Sequence, residues 1–183
     1  RSGVCCSVVC SSDLVVDSDK KTWTIPVDNS KNGKAHTIYL SDFALDQFNR
    51  LRQISVSDRW IYPNRGATGH VCDKTISKQV NSRQNPVVFS NRAKNNTALI
   101  LSGGIWTPHD LRRSGATLMS VLGVSPDVIE KCLNHTEQNR MKRIYQRNDM
   151  KPEQLQAWRL LGERLALLLA MPDNVSLLKQ AYN

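Results

Sequence analysis

Residues 107–117 read TPHDLRRSGAT, and this stretch decides how everything after it folds. Pro108 suits the first position of a helix, where its missing N–H is no loss. Thr107 before it is a helix-capping residue type, and Asp110 stands where the acid of a capping box stands. A helix is therefore predicted to begin at Pro108. His109 and Arg112 are three apart and share one face of it. Cations at the positive end of a helix dipole are unfavourable unless an anion, such as a phosphate, sits among them. The competing reading is a solvated basic surface, and the stretch alone leaves both open.

Downstream the pattern stays helical almost to the end. The first helix puts Leu111, Leu118 and Leu122 inward and stops at Gly123. Ser125-Pro126 starts a second, with Val128, Ile129, Cys132 and Leu133 apolar and Asn134-His135 at its end. A third runs through Met141, Ile144 and Tyr145. A fourth begins near Pro152, turns Leu155, Trp158, Leu165 and Leu168 to one side and ends by Pro172, with a short tail at 172–183. Upstream, TWTIPV at 22–27 and AHTIYL at 35–40 alternate apolar and polar residues as strands do. Asn32-Gly33 between them is a strong hairpin signal, with Lys31 and Lys34 flanking the tip. Ser41 then caps a helix with an apolar stripe of Ala44, Leu45, Phe48 and Leu51. A helix is predicted from Lys74 to Val80, while 91–104 reads as a polar loop, a short apolar segment and a Gly-Gly break. The fold class expected is mostly α with a small β-hairpin or sheet.

A chain of 183 residues can bury a real core. Its 25 Lys and Arg against 16 Asp and Glu give a net charge of +9, which tilts the reading toward a polyanionic partner such as nucleic acid. The longest apolar run, LALLLAM at 165–171, is too short to span a membrane. The start of the chain does not read as a secretory signal. The five cysteines form neither a disulfide framework nor a zinc pattern, so reduced thiols and a cytoplasmic setting are expected. There are no internal repeats, no HExxH metal motif and no phosphate-cradling GxxxxGK loop, so metal and nucleotide cofactors are not expected.

The polar residues make chemical sense as one set. An arginine such as Arg112 can clamp the non-bridging oxygens of a phosphodiester. Histidines such as His109 and His135 can hydrogen-bond the phosphoryl group or move protons. A tyrosine such as Tyr145 can be a covalent nucleophile. A lysine such as Lys31 can protonate a departing alkoxide. Each has a plainer alternative: a helical tyrosine is usually a core or surface aromatic, Lys31 a turn lysine, and His135 a cation at a helix C-terminus.

HDLRRSGAT followed by GVSPDVIEKCLNHTEQNRMKRIYQR resembles the C-terminal half of the tyrosine recombinase catalytic domain, most of all that of phage and genomic-island integrases. That family reads H-x-L-R, then leucine, Gly or Asn and His, then a tyrosine about ten residues on. Here these are His109, Leu111 and Arg112, then Leu133-Asn134-His135, then Tyr145. Upstream, WTIPVDNSKNGKAHTIYLSDFALDQF is similar to the family's hairpin and following helix, and its hairpin lysine matches Lys31 rather than Lys34. The resemblance covers roughly residues 12–170. It implies a DNA breaking-rejoining enzyme whose catalytic residues are Lys31, His109, Arg112, His135 and Tyr145. It implies partners too: double-stranded DNA attachment sites and further integrase protomers in a tetrameric synapse. The whole of 1–183 would then be a single catalytic domain, truncated N-terminally and without the family's arm-binding and core-binding domains.

One departure stands out. The family's first clamp arginine lies in a G-x-R-x-x-E context, whereas this chain begins RSGVCCSVVCSSD. Arg1 is near the right place, but Val4 stands where a glutamate is expected, so Arg1 is not counted in the site. Two other readings stay open: a type IB topoisomerase-like enzyme, and a remnant that binds DNA without cutting it.

Overall fold

The alternating stretches at 22–25 and 36–39 are strands. The computed structural model describes residues 15–30, 32–57, 60–66, 68–72, 74–85, 97–135 and 148–170. Within them β1 (Val15–Asp17), β2 (Thr22–Ile25) and β3 (His36–Tyr39) form one sheet in that order. Trp23 and Ile25 are buried, as the two-residue period requires. Lys21, just before β2, accepts a 2.7 Å hydrogen bond from the N–H of Leu40, just after β3, so the two strands run antiparallel. β1 was not expected. Its turn to β2 is closed by Lys20 N–H donating to Asp17 Oδ1 at 2.9 Å, with Lys21 at a φ of 49°.

The alternation predicted a strand through Val27, but β2 stops at Ile25. Pro26 has no N–H to give a neighbouring strand, and Val27–Asn29 turns as a 3-10 helix with Val27 exposed. The connection to β3 is thus a longer loop rather than a two-residue hairpin. Asn32-Gly33 still makes a turn in it. Gly33 takes a φ of 65°, and its N–H donates to Ser30 O at 3.1 Å.

Among the described residues five helices follow: α1 (Asp42–Ile54), α2 (Lys74–Ser82), α3 (Pro108–Val121), α4 (Pro126–Cys132) and α5 (Lys151–Ala170); the helix expected through Met141, Ile144 and Tyr145 lies outside them. The architecture is therefore mostly helical with one small sheet, the class expected. The chain divides into two compact units. One draws on segments within Arg1–Val15, Ile25–His36 and Leu51–Gly115, the other on segments within Val16–Thr24, Thr37–Arg50 and Ala116–Asn183.

In the second unit Ser41 caps α1, accepting Ala44 N–H at 3.3 Å, and the Trp23 and Phe48 rings meet edge to face at 5.6 Å. The core there is Met119, Val128, Ile129, Cys132, Leu133, Ala157 and Leu161, with Leu118, Trp158 and Leu165 packed against it. All four apolar positions expected of α4 are buried. α5 is different: Leu155 and Leu168 are exposed, and the buried face is Gln154, Ala157, Leu161 and Gly162. The leucines cover most of this helix, so apolarity alone does not mark its inner face. Two of its buried places, Ala157 and Gly162, are small residues that admit a close neighbour. A Cβ on Gly162 would collide with Ser41.

In the first unit Asn64 N–H donates to Gly69 O and Val71 N–H to Tyr62 O, at 2.8 and 2.9 Å, making a short hairpin at which the Trp60 and His70 rings meet at a tilt, 5.1 Å between centroids. Leu111, expected inward, is 61% exposed, and Met119 is the α3 residue buried to 1%. The helical stripe of α3 is thus set by Met119, eight residues on from Leu111, with Leu118 beside it.

Candidate functional site

At the start of α3 the acid half of the expected capping box is in place, while the Thr107 hydroxyl donates to that acid. Asp110 Oδ2 accepts both the Thr107 N–H, at 2.9 Å, and the Thr107 hydroxyl, at 2.8 Å. Those two bonds, the hydroxyl's first, hold the Asp110 carboxyl below its usual range, and the charges of Arg113 and His109 add to the effect. Asp110 therefore stays ionised in the first turn, where a negative charge favours the helix dipole. Arg113 pairs with it at 3.4 Å. His109, exposed, and Arg112, half-buried, occupy the face that the three-residue spacing gives them.

Sequence reasoning missed what fixes the chain entering this helix. Gln84 is buried, and its amide brackets the backbone of Trp106. Trp106 N–H donates to Gln84 Oε1 at 2.8 Å, and Gln84 Nε2 donates to Trp106 O at 2.7 Å. The Trp106 indole N–H in turn donates to Leu99 O at 3.0 Å. Trp106 immediately precedes the cap, so these bonds set the direction in which α3 leaves. A glutamine inside the polar run SRQN carries no local mark of this role.

His135, in the second unit, sits where α4 ends. Asn134 takes a φ of 53°, its N–H donates to Lys131 O at 3.0 Å, and His135 N–H reaches back to Glu130 O at 3.0 Å. These are the two bonds of a Schellman end, whose left-handed position favours Gly or Asn. Leu133-Asn134-His135 is thus a helix stop that fixes the His135 backbone. The ring is 46% exposed, and its Nδ1 lies 2.6 Å from Glu130 Oε2.

Lys31 and Tyr145 lie outside the described residues. Their described neighbours are informative only for the lysine's turn. There Asn32 Oδ1 accepts the Ser30 hydroxyl at 2.7 Å and Lys34 N–H at 3.1 Å, and Lys34 is exposed. The structure thus brings His109 and Arg112 together on one helix and places His135 at the end of the next. An apolar groove of about 230 Å³ between Leu51, Ile54 and Pro63 is lined by none of His109, Arg112 and His135, the expected residues that are described. No helix among the described residues is long and apolar enough to cross a membrane.

A capped helix opening on H-x-L-R, followed by a helix closed on Leu-Asn-His in a mostly helical chain with a small sheet, defines a tyrosine recombinase catalytic domain. Comparison with known proteins agrees. The model of the phage integrase family matches residues 7–151, and the chain belongs to that family. The matched span holds all five expected residues. Prophage integrase IntA of Escherichia coli (strain K12) is 30% identical over 136 residues, which cover 73% of this chain and 29% of that relative's length. No solved structure matches the chain.

Proposed function

We propose that this chain is the catalytic part of a site-specific DNA recombinase that integrates or excises DNA through a 3′-phosphotyrosyl intermediate. The Tyr145 hydroxyl oxygen attacks a scissile phosphate, the bond from phosphorus to the 5′-oxygen breaks, and that oxygen leaves as a 5′-hydroxyl. Arg112 holds the non-bridging oxygens and, with His135, offsets the charge that builds on the phosphorane. Cations fixed in place before the reaction usually contribute more to such catalysis than any other single effect. His109 binds the same phosphoryl group or assists proton transfer, and Lys31 gives the leaving oxygen its proton. A second strand's 5′-hydroxyl then attacks phosphorus and releases the tyrosine. The phosphodiester's energy is kept in the protein–DNA bond, so no nucleotide is consumed.

The observation that carries this reading is the order H-x-L-R, Leu-Asn-His and Tyr inside the family match, with the first two at a capped helix start and a Schellman helix end. Double-stranded attachment sites, other protomers in a tetrameric synapse and a cytoplasmic bacterial setting belong to the same proposal. The +9 charge fits a DNA partner. A duplex nicked just beyond the scissile phosphate loses its short 5′-hydroxyl fragment on cleavage and traps any covalent complex. The full-length protein is expected to accumulate that adduct and to exchange strands between two attachment sites. Binding without any adduct would identify a DNA-binding remnant instead. Relaxation of supercoiled DNA without strand exchange would identify a topoisomerase-like enzyme.

A further inference from the structure

Glu130 was given no role by its sequence, yet it holds His135 at two points. Its backbone carbonyl takes the His135 N–H at 3.0 Å, and its carboxylate lies 2.6 Å from His135 Nδ1. The backbone bond belongs to the Schellman end, which brings residues five apart together where a continuing helix would separate them. The side-chain bond is a separate choice. A carboxylate can only accept, so the ring nitrogen facing it must carry the proton. Nε2 is then the nitrogen left for substrate, and the ring cannot turn over without giving up a charge-assisted bond.

We propose that Glu130 is a positioning residue that pins the proton of His135 on Nδ1 and so presents Nε2 to the reacting phosphate. The proposal rests on the assignment of His135 to the phosphoryl-transfer site. In the imidazolium, Nδ1–H donates to Glu130 while Nε2–H donates to a phosphoryl oxygen, so both contacts are made by one protonation state. A group that orients a histidine through its far nitrogen is a recurring way to fix tautomer and ring plane. Glutamine also offers an acceptor oxygen at that place, whereas alanine offers none.

Two measurements test this. The first is nitrogen NMR of the His135 ring in the protein with and without a non-cleavable nicked duplex. The expected result is a proton on Nδ1 in the wild type and in Glu130→Gln, and mixed tautomers in Glu130→Ala. The second is single-turnover cleavage of the nicked duplex by the full-length protein. Glu130→Ala is expected to slow cleavage about 10-fold or more, the order of one lost charge-assisted bond, with duplex affinity unchanged. Glu130→Gln should recover most of the rate, and Glu130→Ala should add nothing once His135→Ala is present. A neutral nitrogen at Nδ1 in the wild type, or an equal loss from Glu130→Ala in both backgrounds, overturns the proposal. If the NMR result holds but His135→Ala cleaves like wild type, it is the assignment of His135 to the chemistry that fails.

Discussion

Replacing Gly162 by alanine is a sharp test of how α5 is seated. Inside a helix the change ordinarily stabilises by about 1 kcal/mol, because glycine surrenders more backbone freedom. Here the added Cβ would fall on Ser41 Oγ and Cβ, closer than real atoms approach, with Phe43 Cβ at 3.6 Å behind them. A Cβ cannot swing aside, so the start of α1 has to move. Overpacking of this kind costs about 1–3 kcal/mol. Displacing Ser41 also loses its cap on Ala44 N–H, worth about 1 kcal/mol more. Set against the helix gain, the net loss is about 1–3 kcal/mol, a fall in Tm on the order of 5 °C for a chain of this size. Thermal unfolding in the wild-type and Ser41→Gly backgrounds decides the matter. Ser41→Gly removes both clashing atoms and, as a glycine cap, costs only a few tenths of a kcal/mol. In that background Gly162→Ala should become stabilising by about 1 kcal/mol. A stabilising effect in the wild-type background, or the same sign in both, would refute the close approach.

Three further expectations follow, two from the geometry and one from the family match. Burial pushes the Cys132 thiol up to about 12, against about 8.5 for an unfolded cysteine. The unfolded chain thus loses this proton first, and stability should fall as pH rises from about 8.5 toward 12. Urea midpoints should show this alkaline arm in the wild type and a flatter one in Cys132→Ala. Gln84→Ala strips both partners from the Trp106 backbone and should lower stability by about 1–3 kcal/mol in urea unfolding; no loss would mean the bracket is incidental. Lys31→Ala should slow cleavage strongly and recover on a substrate with a 5′-sulfur leaving group, which departs without a proton. Lys34→Ala should change binding only modestly, and equal losses in both would reject the choice of lysine.

The readable parts of the chain were those where a local pattern and the tertiary structure ask for the same residue. Ser125-Pro126 and Asn134 mark the ends of α4, and its buried positions were all legible, because a seven-residue helix between two strong stop signals leaves one phase to choose. The same holds for Thr107 and Asp110 at the start of α3. The Leu111 and Leu155 expectations failed where apolar residues outnumber the buried places, so that packing partners choose among them. Gln84 and Glu130 were invisible for another reason. Each acts through a bond that only the folded chain creates, one across 22 residues and one across a Schellman end. The helix end could have pointed to Glu130, since an acid five residues before a histidine meets it only if the helix stops between them. β1 was hidden because three residues, Val15–Asp17, are too few to show a period.

The mechanism stands or falls on its nucleophile. Tyr145 is one of four tyrosines, with Tyr39 in β3, Tyr62 beside Pro63 and Tyr182 next to the C-terminal residue. It alone follows Leu-Asn-His at the family spacing. The decisive measurement is peptide mapping by mass of the covalent adduct that the full-length protein forms on a nicked suicide duplex. The adduct should lie on the peptide containing Tyr145, and Tyr145→Phe should bind the duplex as wild type does and trap none, since only the hydroxyl is lost. An adduct on another residue, or one that persists in Tyr145→Phe, would contradict the mechanism.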